Sequence, residues 1–149
     1  MQIDLKEKSL GLFREKCHGH GLKITPQRVA IYEILTKSKL HPSAETVFRL
    51  VREKFPHISL DTVNRTLLTL SQIGLVDVIE GWGDPRRYDP NMTPHHHFYC
   101  VSCGEIKDFR RKEYDELALP DRIKTNFTVF SKRVVINGLC EKCSKGAKA

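Results

Sequence analysis

Apolar residues recur every three to four positions through the first half of the chain and then shift to strand-like runs. That order predicts helices first and strands afterwards. Leu5, Leu12 and Phe13 stand among charges and predict a helix over residues 5–17, ended by the glycines of CHGHGLK. Thr25-Pro26-Gln27 predicts a sharp helix start, because Thr25 can cap an exposed N–H and Pro26 suits the first turn. Val29, Ala30, Ile31, Ile34 and Leu35 supply its apolar face up to Lys37. A second start at Pro42-Ser43 leads into Ala44, Val47, Phe48, Val51 and Phe55, ending at Pro56. A third start is Ser59, with Asp61 well placed against the helix dipole. Leu60, Val63, Leu67 and Leu70 form its stripe, Thr62, Asn64, Arg65, Thr66 and Thr69 its other side, and Gly74 its end.

After Gly74, Leu75, Val76, Val78 and Ile79 predict a strand, GWGDP (residues 81–85) a turn, and RRYDP a returning strand. Three helices followed by a hairpin make a winged-helix arrangement. Its last helix is the candidate for the major groove, with small hydrogen-bonding groups for base edges and an arginine for phosphate. The competing reading of that helix is a solvated face on an ordinary helical domain. Residues 91–149 read as a second unit. Segments 98–101 and 105–109 predict a hairpin, residues 112–118 a short helix, and the Val- and Phe-rich stretch 127–136 a longer strand. Left unpaired, that strand is a liability that a two-chain interface extending the sheet would remove. The tail SKGAKA is expected to fray.

Length and charge narrow the class. The chain has 149 residues, 25 Lys plus Arg against 18 Asp plus Glu, and a net charge of +7 with His neutral. One ordinary domain or two small ones fit that length, and a metal or an oligomer interface is plausible support for so little core. The positive balance favours a polyanionic partner. No apolar run can span a bilayer. The N-terminus has acids at Asp4 and Glu7 and no apolar core of a secretory signal, so the expected location is the cytoplasm.

The most specific chemistry lies in four of the five cysteines. Cys100-x-x-Cys103 and Cys140-x-x-Cys143 each put two sulfurs on one turn, and four thiolates in a tetrahedron suit structural Zn²⁺. Two unrelated redox or buried pairs, or an iron–sulfur cluster, are the alternatives. Cys17 reads as a buried helix residue. A second constellation is Asp89, His95, His96, His97 and Asp108. His95 and His97 alternate in a strand-like stretch, so they share a face while His96 takes the other. Two imidazoles with carboxylates suit Fe²⁺, Mn²⁺ or Zn²⁺. Spacing does not say that Asp89 or Asp108 reaches them, and Asp89 is equally suited to cap the turn before Asn91. A solvated histidine loop, a non-heme metal enzyme with a facial triad, and a purely zinc-stabilised interaction module are the other classes these residues allow.

The runs TPQR (25–28), SLDTVNRTL (59–67), RRYDPN (86–91), HHHFYCVSCGEIKDF (95–109) and NGLCEKC (137–143) together resemble the ferric uptake regulator family in order and spacing. The resemblance covers nearly the whole chain. It implies an α+β fold: a winged-helix DNA-binding domain over residues 1–88 with a hinge at its end, and an α/β dimerisation domain over residues 89–149. It also implies a regulator rather than an enzyme, acting as a homodimer on palindromic double-stranded operator DNA, with no membrane partner. By the same resemblance Cys100, Cys103, Cys140 and Cys143 hold structural Zn²⁺, and His41, Asp89, His95, His97 and Asp108 hold regulatory Fe²⁺ or Mn²⁺. Thr62, Asn64 and Arg65 would then face DNA.

Within the family the chain most resembles the peroxide-sensing repressors, in which a ligand histidine is oxidised; the matching residues are His41 and His95. Iron- or zinc-uptake control is the alternative. Iron-uptake regulators more often resemble a pattern with glutamate where this chain has Asp89 or Asp108, and a histidine common in the family is replaced here by Lys132. Asn64 stands where the family usually has tyrosine, which implies an altered operator preference.

Overall fold

The computed structural model describes residues 2–79 and 86–146, with side chains from residue 6 onward. The expected GWGDP turn lies outside the described residues, as do the last three residues of the tail. The chain divides into two compact units, Met1–Met92 and Thr93–Ala149.

The first unit is built from four helices and a hairpin: α1 (Gln2–Gly19), α2 (Pro26–Lys37), α3 (Ala44–Val51), α4 (Leu60–Gln72), β1 (Asp77–Ile79) and β2 (Arg87–Asp89). Three helix starts fall where local sequence places them. The hydroxyls of Thr25, Ser43 and Ser59 accept from the backbone N–H of Arg28, Thr46 and Thr62 respectively. Each such cap contributes about 1 kcal/mol. Gly74, at φ 80°, ends α4 in a conformation that side chains resist. β1 and β2 pair antiparallel, with Asp77 opposite Asp89 and Ile79 opposite Arg87. This is the winged-helix plan.

Phe13 and Cys17, one turn apart on α1, are buried with Ile31, Leu35, Val47, Val51, Val63, Leu67, Leu70, Leu75 and Tyr88. α1 ends at Gly19, inside the CHGHGLK stretch whose glycines are expected to end it. One detail of this unit differs from the sequence expectation. Thr66, assigned to the polar face, is buried and satisfies its hydroxyl on the Thr62 carbonyl at 2.8 Å.

The second unit contains β3 (His96–Cys100), β4 (Ile106–Phe109), α5 (Lys112–Asp115), α6 (Asp121–Asn126), β5 (Val135–Gly138) and α7 (Glu141–Gly146). Its sheet has the order β4-β3-β5, with β3 antiparallel to β4 and parallel to β5. Gly138 permits the close β3–β5 approach, because a Cβ there would meet the Phe98 ring at 3.3 Å. The long strand expected over 127–136 is largely absent: only residues 135–138 pair, α6 precedes them, and residues 127–134 are irregular. The apolar side chains that suggested a strand, Phe127, Val129 and Phe130, are exposed rather than buried by in-chain pairing. Among the described residues, no helix is long and apolar enough to cross a membrane.

Candidate metal centres

The four cysteines are brought together by strand pairing. Cys100 ends β3, and the tight turn through Gly104, at φ 77°, carries Cys103 back toward it. Parallel pairing sets Cys100 opposite Gly138, so Cys140 arrives two residues later and Cys143 follows in the first turn of α7. The sulfurs all lie within 4.8 Å of one another, with Cys103 Sγ and Cys140 Sγ at 3.8 Å.

Their acidities show why such a cluster suits a cation. Backbone N–H groups of Cys103 and Cys140 donate toward the Cys100 sulfur and lower its pKa to about 6. The Cys140 N–H lies 3.3 Å from that sulfur. Cys103 receives a lowering contribution from the Glu105 backbone, but its contact with Cys100, desolvation and the other two thiols push it up to about 12. One thiolate thus forms easily at Cys100, while Cys103 and Cys143, whose pKa values are raised, resist a second negative charge, which a dication relieves. The donor set fits zinc, and the chain carries a four-cysteine metal site.

The histidines and aspartates form two groups, one in each unit. In the second unit His97 and Asp108 are direct cross-strand partners on β3 and β4. Their side chains therefore share a face, and His97 Nε2 lies 3.2 Å from Asp108 Oδ1. His95, two residues earlier, points the same way, with its Nε2 3.1 Å from that of His97. The Thr93 carbonyl, 2.6 Å from His95 Nδ1, can only accept, so Nδ1 carries the proton and Nε2 presents its lone pair. Two buried imidazole nitrogens and a carboxylate oxygen thus converge, a donor set that fits a divalent cation.

His96 faces the opposite side, as the alternation requires. Its Nδ1 accepts from the Val134 N–H at 3.0 Å, so its Nε2–H donates to Asp115 at 2.7 Å. Sequence reasoning missed that tie, because Asp115 lies in a different element. Lys132 donates to the Leu117 carbonyl at 2.6 Å.

In the first unit Asp89 lies 3.5 Å from His41 Nε2 through Oδ2, while Oδ1 accepts the Asn91 N–H at 2.9 Å. Asp89 therefore serves the turn before Asn91 and faces His41 as well. Spacing gave no sign of that pairing. His41 sits at φ 53°, the one positive φ among described non-glycine residues. Holding a side chain there costs on the order of 1 kcal/mol.

On α4, Arg65 is 80% exposed and pairs with the exposed Asp61 at 2.9 Å. Such an exposed pair contributes little to stability. Asn64 is half-buried, and the Thr62 hydroxyl is 2.9 Å from that of Ser59 at the cap.

Comparison with known proteins agrees with this architecture. The profile of the Ferric uptake regulator family matches residues 19–137. The peroxide operon regulator of Bacillus subtilis (strain 168) is 37% identical over 125 residues, 84% of this chain and 86% of that protein. The peroxide-responsive repressor PerR of Staphylococcus epidermidis is 35% identical over 125 residues, 84% of this chain and 83% of its own. Among solved structures, the Helicobacter pylori ferric uptake regulator Fur superposes with a TM-score of 0.75 at 26% identity, covering 93% of each chain. With its winged helix, its four-cysteine site and its paired histidines and aspartates, the chain belongs to the ferric uptake regulator family.

Proposed function

We propose that this protein is a metal-dependent transcriptional repressor that senses peroxide and acts in the cytoplasm as a homodimer on palindromic operator DNA. The observation that carries the reading is the convergence of the buried His95 and His97 Nε2 atoms with Oδ1 of the more exposed Asp108. The similarity to relatives named as peroxide-responsive repressors supports the sensing branch. In this reading residues 1–88 bind DNA, residues 89–149 dimerise, and Cys100, Cys103, Cys140 and Cys143 hold Zn²⁺. His41 and Asp89 join His95, His97 and Asp108 around one regulatory Fe²⁺ or Mn²⁺.

His41 and Asp89 offer one imidazole and one carboxylate, and the other three offer two imidazoles and one carboxylate. Closing the two groups together fixes the angle between the domains, and with it the spacing of the two α4 helices in a dimer. The closed form is favoured by as much as its ligands bind the ion better than the open form does. Fe²⁺ held by these residues would supply the activation of peroxide, and His41 and His95 are the ligand imidazoles that would take up one oxygen atom while the other leaves as water. The altered ring is a poorer ligand, so the two groups part and the helices lose their spacing. The exposed apolar side chains of residues 127–136 supply a surface for the second chain, with Phe130 95% exposed.

Thr62, Asn64 and Arg65 are the proposed DNA contacts, and Arg65 is the most accessible. Arg65→Ala is expected to weaken operator binding by about 10-fold or more at fixed salt, without altering the fold. A fluorescence-anisotropy titration of the Mn²⁺-loaded dimer checks this, with chelated protein as the control that must bind weakly. Wild-type affinity in the variant would remove Arg65 from the interface.

A further inference from the structure

His41 combines two properties that do not coexist without support. It occupies a left-handed backbone conformation, at φ 53°, and it is almost completely buried. Left-handed backbone at a non-glycine residue persists where surrounding groups over-determine it. The contacts that do so come from a residue 46 positions away in the chain. Arg87 donates through Nε to the His41 carbonyl and through Nη2 to the Leu40 carbonyl, both at 2.5 Å. One planar guanidinium therefore caps two successive peptide carbonyls, which a single-point ammonium does not reproduce.

The backbone around Arg87 reinforces the clamp. The Tyr88 N–H donates to the Pro42 carbonyl at 3.1 Å, and Ser43 and Arg87 form an isolated antiparallel bridge. The returning strand of the wing is thus stitched to the loop that carries His41. Two residues further along the same strand stands Asp89, which faces the His41 ring.

We infer that Arg87 is a positioning residue for the regulatory metal site: its guanidinium holds the 40–41 peptide so that the His41 imidazole is set beside Asp89 before any ion arrives. The inference rests on the reading of His41 and Asp89 as metal ligands. Preorganisation of this kind acts on metal affinity, since a ligand already held in place loses less freedom on binding. It also links the wing to the ion, because any contact that shifts β2 shifts the His41 loop with it.

The test is a titration of the zinc-loaded, full-length protein with Mn²⁺, followed by calorimetry or by the electron paramagnetic resonance signal of free Mn²⁺. Arg87→Ala is expected to weaken Mn²⁺ binding by about 10-fold or more, with zinc content unchanged. Arg87→Lys, which retains the charge but not the fork, should fall between the two, and it carries the test if the alanine variant folds poorly. A double-mutant cycle separates positioning from general loosening. In a His41→Ala background, Arg87→Ala should cost nothing further in Mn²⁺ affinity. An equal loss in both backgrounds overturns the inference, and so does lost operator affinity with unchanged Mn²⁺ binding, which would make Arg87 a DNA contact. Unchanged Mn²⁺ affinity in His41→Ala itself would overturn the ligand reading instead.

Discussion

Replacing Cys100 with serine is expected to empty the four-sulfur site, melt the second unit and abolish dimerisation together. The reason is the small core of that unit. Among its described residues the buried apolar side chains are Tyr99, Cys100, Ile106 and Cys140, so two of the four belong to the metal site itself. Large side chains that a bigger domain would bury, including Leu117, Ile123, Phe127, Val129 and Phe130, are exposed. A unit with so little apolar burial depends on its metal for folding. Backbone N–H groups also lower the Cys100 pKa, so its loss removes a thiolate that forms easily. Elemental analysis, circular dichroism and size-exclusion chromatography of the purified variant check the three consequences. Zinc retained at one ion per chain with an unchanged dimer would contradict the assignment.

His97→Ala is expected to spare the zinc and abolish regulatory-metal binding. His97 is fully buried and sits between His95 and Asp108, at 3.1 and 3.2 Å from their ligand atoms. Removing it takes away the donor that lies against both His95 and Asp108. Loss of a supporting hydrogen bond alone weakens metal affinity about 10- to 100-fold, and loss of the central ligand should exceed that. By linkage the variant should no longer bind operator more tightly when Mn²⁺ is added. Mn²⁺ titration and operator titration on the same preparation measure both effects. A wild-type Mn²⁺ isotherm would exclude His97 from the site.

The parts of the molecule readable from sequence are those set by short-range chemistry. Thr25, Ser43 and Ser59 cap helices through hydrogen bonds to residues three positions on, so a few adjacent letters suffice. The cysteine pairs and the alternation of His95 and His97 are equally local. What was hidden depends on contacts across the chain. Asp108 reaches His97 because β3 and β4 pair in one particular register, and a shift of one residue would turn it away. His41 is set beside Asp89 by a loop that Arg87 grips from 46 residues away. Residues 127–136 have strand composition, yet only the last part pairs, since β-propensity expresses a fit to a half-buried sheet surface rather than a backbone preference. Thr66 looked polar and is buried, because its hydroxyl finds the Thr62 carbonyl within its own helix.

The central claim is that the regulatory site converts peroxide into loss of DNA binding through its own histidines. Protein loaded anaerobically with Fe²⁺ or with Mn²⁺ is given a small excess of peroxide, and operator binding and peptide masses are measured on the same samples. The account predicts that the iron form gains one oxygen on His41 or His95 and releases the operator, whereas the manganese form stays bound and unmodified. Oxidation confined to Cys100, Cys103, Cys140 or Cys143 with release of zinc would contradict it in favour of a thiol switch. An iron form that keeps its metal-dependent operator binding and shows no added oxygen would contradict it in favour of iron-uptake control.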